Sequence, residues 1–285
     1  MKKSRLIALL SALMVLAAMV VVVGCGSSDD DSSSGSGDFQ SELITEGTLT
    51  VGSDIPYAPF EFGKAPDYTG FDVELVDAIA AKLGVDTEWK DTAFDTIFTD
   101  VAQGKFDMVA SAATITPERE QTVNFSNPYF ESEQALVVPE GSDITSVEDL
   151  SGATVAAQDG TTGEAYATDE TDAGQVRGVP TGAAAIAAVV NGQAEAAIID
   201  APVAEDAASK GQEGFEIATN IPTGEYYGFA FSKNTPELLS AVNGALTEVI
   251  DDGTYETLFK KYFNNATPPA SITDGTAAAD TGTTE

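Results

Sequence analysis

From residue 47 to residue 263 short strand-type runs alternate with segments of helical period, and no other feature restricts the fold as much. Residues 49–52 read as a strand entering the turn-rich Ser53-Asp-Ile-Pro-Tyr-Ala-Pro59. Val73, Val76, Ala80 and Leu83 recur at helical spacing, and Gly84 is placed to end that helix. Asp95 is placed to cap a helix ending near Gly104, before a strand at 106–110. The alternation resumes with strand 153–157, helix 162–168, strand 176–179, helix 183–191 and strand 194–199. Strand 228–232 then precedes two helical segments, 236–250 and 255–262. Strands separated by helices predict an α/β protein with parallel sheet, long enough for two lobes.

The ends of the chain read differently. Lys2, Lys3 and Arg5 precede an apolar run over 6–23, then Gly24-Cys25-Gly26. A charged start, an apolar stretch and small residues at the cut make residues 1–24 a secretory signal peptide. An uncleaved anchor is the competing reading, because the run is nearly long enough to span a bilayer. Cys25 is the single cysteine, so it forms no internal disulfide. Val-Val-Gly-Cys resembles a bacterial lipobox, with Val22 in the place of the usual Leu, and this favours a lipidated Cys25. Residues 25–44 are then a lipidated cysteine and flexible tether, and 266–285, similarly biased, a disordered tail.

Charge and composition exclude several classes of function. The formal net charge is −33, and the leader carries none of the acids. Such a surface repels nucleic acid, which is therefore not expected as a partner. Histidine is absent, so no Ser-His-Asp triad or Cys-His pair can form. A zinc site would need carboxylates alone, and neither metal nor cofactor is expected.

Against that acidity, arginine is rare: Arg5, Arg119 and Arg177 are the only three. Arg119 follows Thr116-Pro117, a cap and first-position proline that predict a helix start. One reading is a surface arginine paired with Glu118 or Glu120. The other is a guanidinium aimed at an anion, with Ser111 and Thr114 just upstream and helix-start amides assisting. A second such turn, Gln158-Asp-Gly-Thr-Thr-Gly163, offers the hydroxyls and amides of Thr161 and Thr162. Plain turn and cap chemistry is the alternative there.

Residues 47–263 resemble the polar amino-acid-binding proteins of ABC importers, in the periplasmic binding protein family. The resemblance is carried by "GSDIPYAPFEF" (52–62), "YTGFDVEL" (68–75), "FDTIF" (94–98) and "ITPEREQTVNFSNPYF" (115–130). It continues through "QDGTTGEAYA" (158–167), "AIIDAP" (197–202), "YYGFAF" (226–231) and "DGTYETLFKKYF" (252–263). It implies a two-lobed Venus-flytrap fold with two hinge crossings, near 131–134 and 226–228. Lobe 1 is then 45–131 with 229–265, and lobe 2 is 132–228.

Position by position, the resemblance assigns Arg119 to a ligand's α-carboxylate, with Thr114, Thr162 and nearby amides completing that site. Asp200 takes the α-ammonium, together with Ser111 and the Ala112 carbonyl, although Asp200 also stands where it would cap the helix after it. Tyr57 and Phe94 sandwich the side chain, and Asp54 and Gln158 read its polar end. Gly163 replaces a longer polar residue found in some members, which leaves room or water. The function implied is non-enzymatic: a monomeric lipoprotein on the outer face of the cytoplasmic membrane that delivers a free amino acid to an ABC permease and its ATPase. Asp54 favours a cationic side chain (arginine, lysine, histidine or ornithine), with glutamine next. A cyclohexadienyl dehydratase-like enzyme on the same fold is the alternative.

Cys25→Ser is expected to release the protein from membranes, as judged by fractionation. Mass spectrometry finding an unmodified Cys25 behind an intact leader would reject the lipobox assignment.

Overall fold

The computed structural model describes residues 39–277, so the readings of residues 1–24 and of Cys25 lie outside it. In chain order the strands are β1 Thr48–Ser53, β2 Phe62–Lys64, β3 Asp67–Thr69, β4 Asp86–Asp91, β5 Met108–Val109, β6 Asn124–Phe125, β7 Phe130–Val138, β8 Thr154–Gln158, β9 Gln175–Val179, β10 Ala196–Asp200, β11 Glu216–Tyr227 and β12 Ala230–Phe231. The helices are α1 Phe71–Leu83, α2 Ile97–Ala102, α3 Thr162–Asp169, α4 Gly182–Val190, α5 Ala201–Ser209, α6 Pro236–Asp251, α7 Thr254–Tyr262 and α8 Ala270–Thr273.

Two five-stranded sheets, ordered β4-β1-β5-β12-β6 and β11-β7-β10-β8-β9, form the two lobes. β1 runs parallel to β4 and β5, and β8 lies parallel between β10 and β9. Neither sheet is purely parallel, however. β12 is antiparallel to β5 and β6, and β7 to β10 and β11. The reason is connectivity: the chain leaves one lobe along β7 and returns along β11, and no helix reverses it there. These two strands pair as one ribbon, Phe130 opposite Tyr227, Glu131 opposite Tyr226 and Ser132 opposite Glu225. An irregularity between Ile221 and Glu225 interrupts the register. The ribbon is the hinge, and both expected crossings fall in it.

The local readings explain the elements. α1 buries Phe71, Val73, Leu75, Val76, Ile79 and Ala80 on one side, and Gly84 ends it at φ 71° with its N–H on the Ala80 and Ala81 carbonyls. The root of the hinge is an aromatic cluster: Tyr129 stacks on Phe229 at 4.3 Å, and Phe130 stacks on Tyr227 at 5.4 Å. Phe263, just after α7, closes it 4.9 Å from Phe130. Such rings bury large apolar area and stiffen the base from which the ribbon bends.

Four local expectations need correction. Asp95 caps no helix; it sits in a 3-10 turn, Phe94–Thr96, that tucks Phe94 inward before α2. The helix at Pro117 is only a 3-10 turn, Arg119–Gln121, although Thr116 Oγ1 does accept the Arg119 N–H at 3.2 Å. The chain must reach β6 at Asn124, which leaves no length for further turns. The tether is already packed from residue 39: Leu43 is buried, and Glu42 accepts the Leu238 N–H at 2.8 Å at the start of α6. Nor is the tail loose throughout, since Ile272 on α8 and Ala277 are buried against the lobe carrying α6 and α7.

Ile272→Ala is therefore expected to destabilise the protein by about 1–3 kcal/mol in urea unfolding, as for a core truncation near a chain end. An unchanged midpoint would mean that α8 contributes nothing to the fold.

Candidate ligand-binding cleft

Strand ends deliver the site. The loops after β1, β4 and β5 in one lobe face the ends of β8 and β10 in the other, the location open α/β sheets use for ligands. Eleven residues line one cavity there: Asp54, Tyr57, Phe94, Ser111, Ala112, Thr114, Arg119, Gln158, Thr161, Thr162 and Asp200. Every candidate site residue named from the sequence, Cys25 apart, thus borders the same space. What each does there is a separate question, answered by its partners.

Arg119 is not paired with Glu118 or Glu120. Among the described residues it has no carboxylate within ion-pair distance. Its Nη1 donates to the Thr114 carbonyl at 2.7 Å, and its Nη2 reaches across the cleft to the Gly160 carbonyl at 3.0 Å. The guanidinium also lies over Phe98 and Phe94, at 4.6 and 5.2 Å from the ring centroids. Burial lowers its pKa to about 10, while the charges of Asp200 and Glu225 pull it back up. One face of Phe94 is therefore taken by Arg119.

Asp200 ends β10 but its carboxylate does not cap α5. It accepts from Gln134 Nε2 at 2.6 Å, from the Tyr227 hydroxyl at 2.7 Å and, across the cleft, from the Tyr57 hydroxyl at 2.8 Å. Burial raises its carboxyl to about 6, the charge of Glu225 adds to the rise, and the hydrogen bonds oppose it. Asp54 accepts from Gln158 Nε2 at 2.5 Å, again lobe to lobe. Burial raises Asp54 from 3.8 to about 6, with Gln158 resisting and Asp91 and Asp95 assisting.

Thr161 does what a cap residue does: its hydroxyl accepts the Glu164 N–H and donates to the Gln158 carbonyl. Gly160, at φ 76°, makes the tight turn and presents the carbonyl that Arg119 grips. Gly163 opens no room. A Cβ there would lie 2.9 Å from Gln134 Oε1 and 3.0 Å from the Ile198 carbonyl, so the glycine is a close-packing position.

Glu225 was not legible as a site residue, and it changes the roles of Thr114 and Thr162. Both hydroxyls donate to its Oε2, at 2.7 and 2.9 Å, and Gln134 Nε2 and Thr223 Oγ1 each donate to its Oε1 at 3.0 Å. A hydroxyl has one proton. Those of Thr114 and Thr162 are committed to Glu225, which leaves the cavity their lone pairs and backbone amides. A signal did exist: Glu225 lies two residues before the buried Tyr227 on a strand, and Gln134 repeats the inward spacing of Phe130 and Ser132. Polar residues at inward strand positions mark a site or a network.

Residues 49–265 match the family of bacterial extracellular solute-binding proteins, family 3. The chain belongs to that family. A curated relative, a probable histidine-binding protein of Campylobacter jejuni, is 34% identical over 224 residues, 78% of this chain and 87% of the relative. The arginine-, lysine-, histidine-binding protein ArtJ of Geobacillus stearothermophilus superposes with a TM-score of 0.74 at 34% identity, covering 80% of this chain and 99% of its own. An ancestral amino acid-binding protein described as a precursor of cyclohexadienyl dehydratase has a TM-score of 0.73 at 40% identity, covering 79% and 99%. In this family member the cleft carries more buried acid than base.

That imbalance has a stability consequence with a definite sign. Asp54 holds its proton more tightly folded than unfolded, so its ionisation disfavours the fold as pH rises from about 4 through about 6. Asp54→Asn is expected to be more stable than the native chain by up to about 3 kcal/mol near pH 8, with no gain near pH 4. Urea midpoints at the two pH values test this, and an equal gain at both would assign the effect to packing.

Proposed function

We propose that this protein captures a free polar amino acid, cationic or else glutamine, and delivers it to an ABC permease with its ATPase. A lipid on Cys25 holds it at the outer face of the cytoplasmic membrane. The observation that carries the reading is the charge arrangement of the cleft: one guanidinium, Arg119, and two buried carboxylates, Asp54 and Asp200, on one cavity. A zwitterion with a positive tail complements that set. Its α-carboxylate fits Arg119 and the amides of Thr114 and Thr162, its ammonium fits Asp200 and Ser111, and its tail fits Asp54 and Gln158. An acidic side chain would bury a charge with no second cation. The relatives named for histidine, arginine and lysine support the same chemistry. Tyr57 and the free side of Phe94 would flank the stem, with modest cation–π gain.

Closure is part of the reading. Arg119 to Gly160, Asp54 to Gln158 and Tyr57 to Asp200 each join the two lobes. A ligand that strengthens those links favours the closed form over the open one. The second reading, a dehydratase, is favoured by the likeness to the ancestral precursor. A substrate with two carboxylates would need a second cation, and Arg119 is the only one among the lining residues.

A thermal-shift screen of the proteinogenic amino acids, ornithine and citrulline tests the assignment. The expected order is arginine, lysine, histidine or ornithine first, glutamine second, glutamate and aspartate last. Arg119→Ala should weaken binding by about 2–5 kcal/mol in a folded protein. Tight glutamate binding, or native affinity in Arg119→Ala, would overturn the reading.

A further inference from the structure

Two carboxylates behind the cavity wall have no part in the function proposed above. Glu61 and Asp72 are wholly buried. Their backbones are neighbours, because the Asp72 N–H donates to the Phe60 carbonyl at 3.0 Å. Each acid holds one residue of the wall. The Ser111 hydroxyl donates to Glu61 Oε1 at 2.7 Å and accepts the Asp54 N–H at 3.0 Å. The Ala112 N–H donates to Asp72 Oδ2 at 2.9 Å, and the Tyr129 hydroxyl donates to the same oxygen at 2.6 Å. Ala112 stands at φ 45°, where residues other than glycine are rare, and the bond to Asp72 holds it there. With the Ser111 proton and the Ala112 N–H both spent on acids, the wall offers oxygen acceptors at this point and neither of those donors.

The remaining oxygens, Glu61 Oε2 and Asp72 Oδ1, are buried and without a hydrogen-bond partner among the described residues. Buried polar atoms are almost always partnered. Two neighbouring carboxylates out of water do not both ionise. A single proton between the two acids would answer both facts, one acid donating through its free oxygen and the other accepting.

We propose that Glu61 and Asp72 are positioning residues, sharing one buried proton through these two oxygens and holding Ser111 and Ala112 as acceptors for a substrate's ammonium group. The ammonium part rests on the amino-acid reading of the cleft; the shared proton does not. Burial pushes the Glu61 carboxyl well above the usual range, and the charge of Asp72 adds to the push. Burial raises Asp72 to about 6 against the pull of the Ala112 N–H and the Tyr129 hydroxyl. The groups facing the pair are Asp54, Asp200 and Tyr57 from the cleft side and Tyr129 and Tyr255 from the core. An acid pair carrying one negative charge beneath the wall also selects for a cation above it.

Amide substitutions separate a shared proton from simple packing. Glu61→Gln imitates the protonated acid, accepting from Ser111 and donating to Asp72. Asp72→Asn imitates the reverse arrangement. The double variant sets donor against donor and removes the charge. In calorimetry with arginine, each single variant is expected to weaken binding by about threefold and the double by about a hundredfold, far beyond the product of the singles. Binding of 5-guanidinopentanoate, arginine without its α-amino group, should fall by less than about threefold in the double variant, whereas general disruption would weaken both probes alike. Infrared spectra of the native chain near pH 8 should show a protonated-carboxyl stretch that Glu61→Gln abolishes. Absence of that band, or a double variant no worse than the product of the singles, would overturn the shared proton. If arginine, lysine, histidine, ornithine and glutamine all fail to bind the native chain, the amino-acid reading falls and the ammonium role with it. The infrared band and the unfolding free energies of the four chains would then still decide the proton.

Discussion

Carboxylates removed from water govern this protein's cleft. Asp54, Asp200 and Glu225 are all buried, and each receives hydrogen bonds from the opposite lobe or from both lobes. An acid in that position is costly when alone and strongly held when its acceptor oxygens are filled. Tyr57, Gln134, Gln158, Thr114 and Thr162 fill them, and those partners span the gap between two sheets. The contact between the lobes is thus stabilised by the same groups whose burial it requires. Arg119 is the counterweight, and its two hydrogen bonds go to backbone carbonyls and not to a neighbouring acid.

The fold places this chemistry by two devices. Strand ends bring loops from both lobes to a single cavity, and a two-stranded ribbon joins the lobes. The ribbon is anchored at one end by the rings of Tyr129, Phe130, Tyr227 and Phe229, which cannot deform smoothly because they are close-packed. Its middle carries Gln134 and the irregular stretch before Glu225. Gln134 and Glu225 thus place two polar groups of the cleft on the ribbon itself. Glu225 sits on β11 and holds one threonine from each lobe.

Much of this was legible in residue order. Helical spacing over 73–83 with Gly84 at its end describes α1, because apolar period and a left-handed cap are local properties. The alternation of strands and helices implied α/β architecture for the same reason. The eleven lining residues could be named through the resemblance, whose motifs fall at strand ends and in the loops that follow them. Likewise Thr161 was readable as a cap, since its partners lie three residues away in either direction.

What the sequence could not decide was every property that depends on a partner distant along the chain. The Glu225 carboxylate becomes a site group only because Thr114 and Thr162, 111 and 63 residues away, meet it. Gly163 suggested space, and Gln134 and Ile198 fill it. Arg119 suggested a helix start, and the need to lay β6 beside β12 cut that helix to one turn. The buried pair Glu61 and Asp72 looked like two ordinary acids among 46. Local periodicity determined which residues form strands, helices and caps, because those follow from backbone geometry within a few residues. Burial, and with it the charge state and the hydrogen-bond duty of each polar group, was decided only when the two lobes came together and excluded water.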